Sequence, residues 1–317
     1  MATRPQHSGR RGLLIATVCL ALALACARVG GMAADDAGAA DHPGIDLGIV
    51  PPTDGPPFAD AFAADLDPRV GEVYAHSELT LYRFNPVAGD FVTVGEFGCL
   101  KGGDGVALML DIAIDRAGNM VGTAAMSEHA VINGRLVSID KMTGACTVLK
   151  TGSYPNSLAF VPVGTVLPDR EALVGYVNDS YVQINPDTGL VSTIGNLNAV
   201  AAANPWMSSG DIVSIVGGGT YVTIIPRGSV TADPDGDRIA EVNPATGTII
   251  RVIGATGATG LFGLGYWGGI AYGFSSSSLL VKIDLTSGAG TPVAISGAPS
   301  AGFYGAGTTT VAPIYVD

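Results

Sequence analysis

The stretch YVQINPDTGLVSTIG, Tyr181–Gly195, recurs with variations along the chain and indicates the fold. Five copies align on an Asn or Asp that is followed four positions later by Gly: LYRFNPVAGDFVTVG, LVSIDKMTGACTVLK, YVQINPDTGLVSTIG, IAEVNPATGTIIRVI and LVKIDLTSGAGTPVA. Their glycines are Gly89, Gly144, Gly189, Gly247 and Gly288, which are 55, 45, 58 and 41 residues apart. The motif keeps its residues while the distance between copies varies, which predicts one structural unit that repeats with loops of different length.

Each copy has the chemistry of a tight β-hairpin. An Asn or Asp side chain accepts a hydrogen bond from a backbone N–H two residues on, and glycine adopts the left-handed conformation that closes the turn. The arms are apolar, as in LVSI before the turn and TVL after it in the copy that begins at Leu136. Such arms predict strands that are covered on both faces.

A second apolar strand pair with a glycine-containing turn alternates with these hairpins: DIAIDRAGNMVGTA, NSLAFVPVGTVL, GDIVSIVGGGTYVTI and LFGLGYWGGIAYGF. Two hairpins make a four-stranded sheet, and such sheets packed in a ring form a β-propeller. We therefore expect an all-β fold, a β-propeller of five to six four-stranded antiparallel blades, with a pair of β-sandwiches as the alternative. Five blades suffice if the C-terminal segment AGFYGAGTTTVAPIYVD pairs with strands between Phe62 and His76, whereas a contribution from GIDLGIV would make six.

These hairpins carry a resemblance to known proteins. Segments of the form IDPxTG after an apolar strand pair resemble the repeats of bacterial extracytoplasmic propellers of the YVTN, NHL-like and quinoprotein-like kinds, over roughly Ala61 to Pro313. The closing segments GLGYWGGIAYGF and YGAGTTTVAP are similar to the end of uncharacterised propeller proteins of exporting bacteria that carry a lipoprotein-type signal. The resemblance implies a fold and no particular activity, because the motif is turn chemistry that unrelated propellers share.

The amino-terminal region predicts export. Residues 1–25 combine Arg10 and Arg11 with the apolar run LLIATVCLALALACA and read as a signal peptide. Both ordinary cleavage and cleavage with lipid attachment to Cys26 fit, and we favour lipidation of Cys26. Residues 26–60 are rich in Ala, Asp, Gly and Pro and predict a flexible tether, which leaves 61–317 as the propeller domain. The predicted location is extracytoplasmic, either as a lipoprotein of the cell envelope or outer membrane or as a secreted protein.

Composition narrows the class of partner. The formal net charge is −12, and such an acidic chain repels phosphate backbones, so nucleic acid is excluded as a partner. After the signal, no apolar run is long enough to span a membrane. We expect a monomer whose partner is an envelope protein, a peptide or a glycan.

Export makes cysteine pairing plausible. Cys19 leaves with the signal and Cys26 is the lipidation candidate, so Cys99 and Cys146 remain. They lie beyond the hairpins of consecutive repeats, where neighbouring outer strands could bring them together. A disulfide between them and a pair of buried thiols are both consistent with the sequence.

The segment TADPDGDRIAEV is the candidate for a metal site, with Asp233, Asp235 and Asp237 at alternate positions. Oxygen ligands spaced in this way can wrap a calcium ion. Arg238 stands where an EF-hand loop needs glycine, and Pro244 where it needs the closing Glu, so a solvated acidic turn is favoured. We predict no cofactor and keep calcium as the alternative.

A ligand would bind at one mouth of the central channel, where the loops that lead into the innermost strands converge. On the repeat alignment these loops carry Asp104, Asp111, Asn156, Trp206, Asp211 and Trp267. Two tryptophans beside amides and carboxylates suit a sugar or a peptide, although packing of both rings in the core or rim is favoured.

The sequence indicates the function less clearly than it indicates the fold. The sequence contains no H-E-x-x-H and no G-x-S-x-G, so no catalytic residue is assigned. The leading hypothesis is a non-catalytic binding or scaffold module at the cell envelope. The alternative is a propeller enzyme, lactonase-like or lyase-like, with carboxylates or calcium at the central channel.

Lipidation is directly testable in a bacterial host fed labelled palmitate. We expect the label to be incorporated into the wild-type chain and lost in Cys26→Ala, because the thiol of Cys26 is the proposed attachment point. Cys19→Ala is the control and should retain the label. Persistent labelling of Cys26→Ala would refute lipid attachment at this residue.

Overall fold

The computed structural model describes residues 72–102, 105–126, 134–199, 205–229 and 235–315. Apart from one 3-10 turn at Gly98–Leu100, the regular elements of this part of the chain are strands. In chain order they are β1 (Val73–His76), β2 (Thr80–Asn85), β3 (Asp90–Glu96), β4 (Lys101–Gly102), β5 (Gly105–Val106), β6 (Leu108–Ile114), β7 (Met120–Ala125), β8 (Gly134–Ile139), β9 (Cys146–Gly152), β10 (Ala159–Val161), β11 (Ala172–Val177), β12 (Ser180–Ile184), β13 (Val191–Asn196), β14 (Trp206–Ile215), β15 (Gly219–Pro226), β16 (Arg238–Val242), β17 (Ile249–Ala255), β18 (Leu261–Trp267), β19 (Ile270–Ser275), β20 (Leu280–Ile283), β21 (Gly290–Pro292) and β22 (Gly305–Thr308).

These strands form five four-stranded antiparallel sheets, which are the blades of a propeller. Blade 1 has the order β22-β1-β2-β3, blade 2 β6-β7-β8-β9, blade 3 β10-β11-β12-β13, blade 4 β14-β15-β16-β17 and blade 5 β18-β19-β20-β21. The small hairpin β4-β5 connects blade 1 to blade 2. The all-β propeller predicted from the sequence is confirmed, with five blades in the part of the chain that the structure describes.

The ring closes by pairing the two ends of the propeller. Strand β22 is antiparallel to β1, with Val73 opposite Thr308 and His76 opposite Gly305. Blade 1 therefore takes its first strand from the end of the chain and its other three from the start. This is the closure expected for five blades, in which the C-terminal segment pairs with the region that ends at His76.

The first strands of the blades surround the axis and run in the same direction. Neighbouring first strands contact each other around the ring in the order β6, β10, β14, β18 and β22. A parallel bridge joins Ile114 to Thr309, just beyond β22, and the amide of Leu264 on β18 reaches Asp211 on β14. We call the end at which these inner strands begin the upper end, and the end at which they stop the lower end.

The five recurring hairpins occupy equivalent positions, each joining the third strand of a blade to the fourth. In every copy the glycine N–H donates to the carbonyl of the Asn or Asp four residues earlier, at 2.7–2.8 Å. The side-chain Oδ1 of that residue also accepts the N–H two residues on, at 2.8–3.1 Å. The glycines Gly89, Gly144, Gly189, Gly247 and Gly288 all have positive φ, from 67° to 85°. The predicted turn chemistry is confirmed.

Burial differs between the two arms of each hairpin. The third strands are buried or half-buried apart from the exposed Arg83, whereas the fourth strands lie at the rim and combine half-buried with exposed positions, as in β13 and β17. Ile250 on β17 is 61% exposed. The expectation that both arms are covered is therefore wrong for the outer arm. Its apolar residues reflect the strand preference of β-branched side chains, since no blade among the described residues packs outside it.

The hydrophobic core is divided among the blade interfaces. Each of the five clusters of buried apolar side chains combines residues from two neighbouring blades. The cluster between blades 5 and 1, for example, packs Phe84 and Phe91 against Tyr272 and Phe274. Within the described residues, the core is thus a ring of interfaces rather than a single central mass, and this explains why each sheet is apolar on both faces.

The hairpin glycines contact the neighbouring blade directly. A Cβ on Gly288 in blade 5 would lie 2.5 Å from the Cα of Gly254 on the outer strand of blade 4. A Cβ on Gly144 in blade 2 would lie 2.7 Å from the carbonyl carbon of Gly95 on the outer strand of blade 1. The blades approach backbone to backbone at these points, so a side chain on either partner would separate them.

A disulfide joins Cys99 to Cys146, with 5.4 Å between the Cα atoms. Cys99 lies in the segment that follows blade 1, and Cys146 begins the outer strand of blade 2. Of the two alternatives that the sequence allowed, the structure contains the bond. It attaches the connection between the first two blades to the rim of the second.

The glycine contact can be separated from the glycine conformation by comparing Gly288→Ala with Gly164→Ala. Gly164 also has positive φ, 82°, but a Cβ there would meet no atom within 4 Å. We expect Gly164→Ala to cost about 1–2 kcal/mol for the left-handed backbone alone. Gly288→Ala should cost a further ~1–3 kcal/mol because it also overlaps Gly254.

Urea unfolding followed by circular dichroism measures both costs. Equal losses in the two variants would show that the contact between Gly288 and Gly254 contributes nothing beyond conformation.

Candidate functional site

A polar and aromatic cluster lies at the upper end between blades 3 and 4. We call it the upper-face cluster and define it as Asp179, Asn198, Trp206, Arg227 and Arg238. Asn198 holds the first residue of β14 in place, because its Oδ1 accepts the N–H of Trp206 at 2.7 Å and its Nδ2 donates to the carbonyl of Trp206 at 2.9 Å. The half-buried Trp206 is therefore positioned by the connection from the preceding blade.

Two arginines complete this cluster. The Arg227 Nη2 lies 2.7 Å from the Asp179 Oδ2, and the Arg227 side chain remains 53% exposed. The guanidinium carbon of Arg238 lies 5.9 Å from the ring centroid of Trp206, within the range of a cation–π contact. An aromatic ring beside an exposed guanidinium offers both stacking and hydrogen-bond donors to a ligand, while the buried Asp179 and the Asn198 amide hold these groups in place.

The lower end is crossed by the C-terminal strap, which we define as Thr309–Tyr315. Its hydrogen bonds reach four blades. Thr309 Oγ1 donates to the carbonyl of Asp115 in blade 2, and Thr310 Oγ1 donates to Glu171 Oε1 in blade 3. The N–H of Val216 in blade 4 donates to the carbonyl of Thr310, and the N–H of Gly268 in blade 5 donates to the carbonyl of Pro313. Ile314 also packs against blades 4 and 5 as part of their shared apolar cluster. The two ends of the propeller are therefore chemically different.

The carboxylate of Glu171 is central to the attachment of this strap. Its Oε2 accepts the N–H of Arg116 at 2.8 Å, while its Oε1 accepts the hydroxyl of Thr310. Burial raises the pKa of Glu171, and these two hydrogen bonds oppose that rise by stabilising the charged form. One carboxylate thus links the strap to the loop of blade 2 and the start of β11 in blade 3.

The two tryptophans do not form a pair. Trp206 is the first residue of β14, whereas Trp267 is the last residue of β18. Because the inner strands are parallel, the two residues lie at opposite ends of the ring. Trp267 is 6% exposed and packs with Tyr272 and Phe274 between blades 5 and 1. The expectation that Trp267 shares a mouth with Trp206 is corrected, and core packing accounts for its ring.

Asp111 and Asp211 lie within their strands rather than at the mouth. Asp111 is in the middle of β6 and Asp211 is in the second half of β14, and both are fully buried. The expected position at the channel mouth is corrected for both, since the inner strands extend above them. Burial raises the pKa of Asp111 well above its ordinary value and the pKa of Asp211 to about 7.

Two candidates for ligand contact remain, Asn156 and Asp104. Asn156 is exposed and precedes β10 by three residues, so it lies towards the upper end, and its contact with a ligand stays a prediction. Asp104 lies outside the described residues. Lipidation at Cys26 likewise concerns a residue outside them.

The calcium candidates are used in other contacts. Asp235 forms an ion pair with Arg238 at 3.4 Å, and its side chain is 66% exposed. Asp237 is buried, and its Oδ2 accepts the N–H of Leu261 at 2.8 Å, which joins blade 4 to blade 5. Asp233 lies outside the described residues. Among the residues that the structure describes, no group of three or more His, Cys, Asp and Glu could hold a metal ion.

Sequence reasoning missed four members of the upper-face cluster, namely Asp179, Asn198, Arg227 and Arg238 as neighbours of Trp206. They come from three separate connections in two blades, so no linear spacing unites them. The buried aspartates carried a readable signal, because a single Asp in each of the apolar strands DIAI and DIVS predicts a paired or hydrogen-bonded carboxylate.

No family model and no curated protein matches the chain. Among solved structures, the chain is similar to one in the nidogen/laminin complex, with 12% identity, a TM-score of 0.43 and coverage of 74% of this chain and 97% of that chain. It is similar to TolB from Acinetobacter baumannii, with 14% identity, a TM-score of 0.41 and coverage of 76% and 55%. It is similar to BamB from Moraxella catarrhalis, with 12% identity, a TM-score of 0.33 and coverage of 74% and 72%. At such identities the likeness concerns the fold alone.

Attachment of the C-terminal strap is tested by Thr310→Val. The change removes the hydroxyl that donates to the half-buried Glu171 carboxylate, and we expect a loss of about 1–3 kcal/mol in the free energy of unfolding. Thr151→Val, at an exposed position of β9, is the matched control and should be nearly neutral. Chemical denaturation at neutral pH measures both, and equal stability of the two variants would contradict the assigned hydrogen bond.

Proposed function

We propose that this protein is a non-catalytic binding or scaffold propeller of the cell envelope, which contacts its partner through the upper-face cluster. The observation that carries the proposal is the position of Trp206 at the end opposite the C-terminal strap. Its backbone is held by two hydrogen bonds from the Asn198 amide, and its ring lies beside the guanidinium of Arg238. Because the strap occupies the lower end, the upper end is where we place the partner.

The chemistry of the cluster favours a ligand with both apolar and hydrogen-bonding surface. A half-buried indole stacks on a sugar ring or an apolar peptide side chain, and the exposed guanidinium of Arg227, held by the buried carboxylate of Asp179, offers donors beside it. The net charge of −12 disfavours a polyanion. A peptide or a glycan is therefore the proposed ligand class, and the export signal and tether expected from the sequence support an encounter at the envelope.

Membrane attachment in this proposal depends on the lipid on Cys26. The part of the chain that the structure describes contains no helix of the length and apolarity needed to cross a membrane.

Ligand binding can be tested with the two tryptophans as internal probes, because the chain contains only these two. We would incorporate 5-fluorotryptophan, assign the two fluorine resonances with Trp206→Phe and Trp267→Phe, and titrate soluble peptidoglycan fragments, which present sugar and peptide together. We expect the Trp206 resonance to shift with saturation and the Trp267 resonance to stay unchanged, since Trp267 is buried at the other end.

Two further measurements complete this test. Arg227→Ala should weaken the titration by about tenfold, which is the effect of losing one charge-assisted hydrogen bond. Chromatography of the fragments before and after incubation should recover them unchanged. A shift confined to Trp267, or no shift at all, would contradict binding of this ligand class at the upper face, and chemical conversion of the fragments would overturn the non-catalytic assignment.

A further inference from the structure

Two buried carboxyl groups meet at the axis of the propeller. Asp111 belongs to blade 2 and Asp211 to blade 4, which are not adjacent in the ring, yet their carboxyl groups interact, and the Leu158 N–H that donates to Asp111 also acts on Asp211. Both residues are 0% exposed. The contact therefore crosses the axis and connects blade 2 to blade 4, which share no interface with each other.

Each carboxyl group also receives two backbone hydrogen bonds. Asp111 accepts the N–H of Ile112 at 2.9 Å and, from blade 3, the N–H of Leu158 at 2.7 Å. Asp211 accepts the N–H of Ile212 at 2.6 Å and, from blade 5, the N–H of Leu264 at 2.7 Å. The same geometry occurs twice, and together the two side chains bind backbone from blades 2, 3, 4 and 5.

Blade 1 completes the surroundings of this pair. A Cβ on Gly305 would overlap both Asp111 Oδ1 and His76 Nε2, so the glycine leaves the room that these two groups occupy. The Nδ1 of His76 lies 2.9 Å from the carbonyl of Ser77, to which it donates. Burial lowers the pKa of His76 to about 4, so His76 is neutral at physiological pH and supplies no positive charge to the pair. His76, on β1, is thus a titratable group from another element that lies beside Asp111.

A hydrogen bond between two carboxyl groups needs a proton on at least one of them. Two ionised carboxylates in contact, away from water and without a cation, would repel each other strongly. The raised pKa of each aspartate has burial as its first cause, and for Asp111 the charge of Asp211 is the next. Such a pair titrates as a unit rather than as two separate residues.

We propose that Asp111 and Asp211 jointly hold a proton at neutral pH and that this proton closes the ring across its axis. Loss of the proton places two negative charges in contact and weakens the attachment of four blades to one another. The propeller is therefore most tightly closed in mildly acidic surroundings and loosens as the pH rises.

The sign of the pH dependence follows from proton linkage. The folded chain retains a proton that the unfolded chain releases near the ordinary pKa of Asp, which is about 3.9. The stabilisation is thus complete below that value and is lost as the pH rises through the raised folded-state pKa, which for Asp211 is about 7. Each retained proton should increase the unfolding equilibrium constant about tenfold per pH unit within this window.

The test compares the pH dependence of unfolding in the wild type with that in Asp211→Asn and Asp111→Asn. An Asn at either position removes one of the two charges and offers an N–H to the remaining carboxylate in place of the shared proton. The amide also loses one acceptor for the backbone, and this cost does not vary with pH. Asp187→Asn, at an exposed position in the hairpin of blade 3, is the matched control.

Between pH 5 and pH 7 we expect the unfolding constant of the wild type to rise about tenfold per pH unit relative to that of either axial Asn variant. Asp187→Asn should follow the wild type. Parallel profiles for the wild type and the axial variants would overturn the proposal.

A measurement on the wild type covers the case in which an axial variant fails to fold. In carbon-13 NMR of the Asp carboxyl groups, two resonances should still have the chemical shift of a proton-sharing pair at pH 5. Both should then shift together as the pH is raised further. The amide protons of Leu158 and Leu264 should shift with the same midpoint, because each donates to one member of the pair. Titration of all observed Asp resonances near pH 4 would overturn the proposal.

Discussion

The close approach of backbone from neighbouring blades is the constraint on which the architecture depends. Gly144 meets Gly95 and Gly288 meets Gly254 at distances that leave no space for a side chain. At the junction of blades 2 and 3, Gly189 meets Lys150, which occupies the position of those outer-strand glycines. The repeated hairpin is thus both a turn within one blade and the surface that docks on the previous blade, and this dual use explains why its glycine recurs in every copy.

The centre of the ring follows a different rule from the interfaces. Five apolar layers lie between the blades, but the inner strands that converge on the axis have no further sheet to pack against. Asp111 and Asp211 connect these strands with directional hydrogen bonds where apolar packing alone would not specify a register. Gly305 contributes by its small size, since any side chain there would displace the carboxyl group of Asp111. Closure at the rim and closure at the axis are therefore achieved by different chemistry.

The sequence predicts the propeller well because its main signal is local. An Asn or Asp and a Gly four residues apart determine a turn by themselves, and five such turns at repeat spacing leave few folds other than a ring of sheets. The upper-face cluster is not local, because its residues come from three separate connections and meet only when blade 3 packs on blade 4. Trp267 shows the same limit, since its placement depended on the direction of a strand that the repeat pattern does not give.

The chemical difference between the two ends of the propeller connects the fold to the proposed binding function. Pairing β22 with β1 sends the residues after Thr308 across the lower end. Thr309 and Thr310 then bind blades 2 and 3, and Pro313 accepts from blade 5, so the strap uses polar groups that a ligand would otherwise reach. The upper end retains an exposed guanidinium and a half-buried indole. The same C-terminal segment thus closes the ring and leaves the upper end as the proposed binding face.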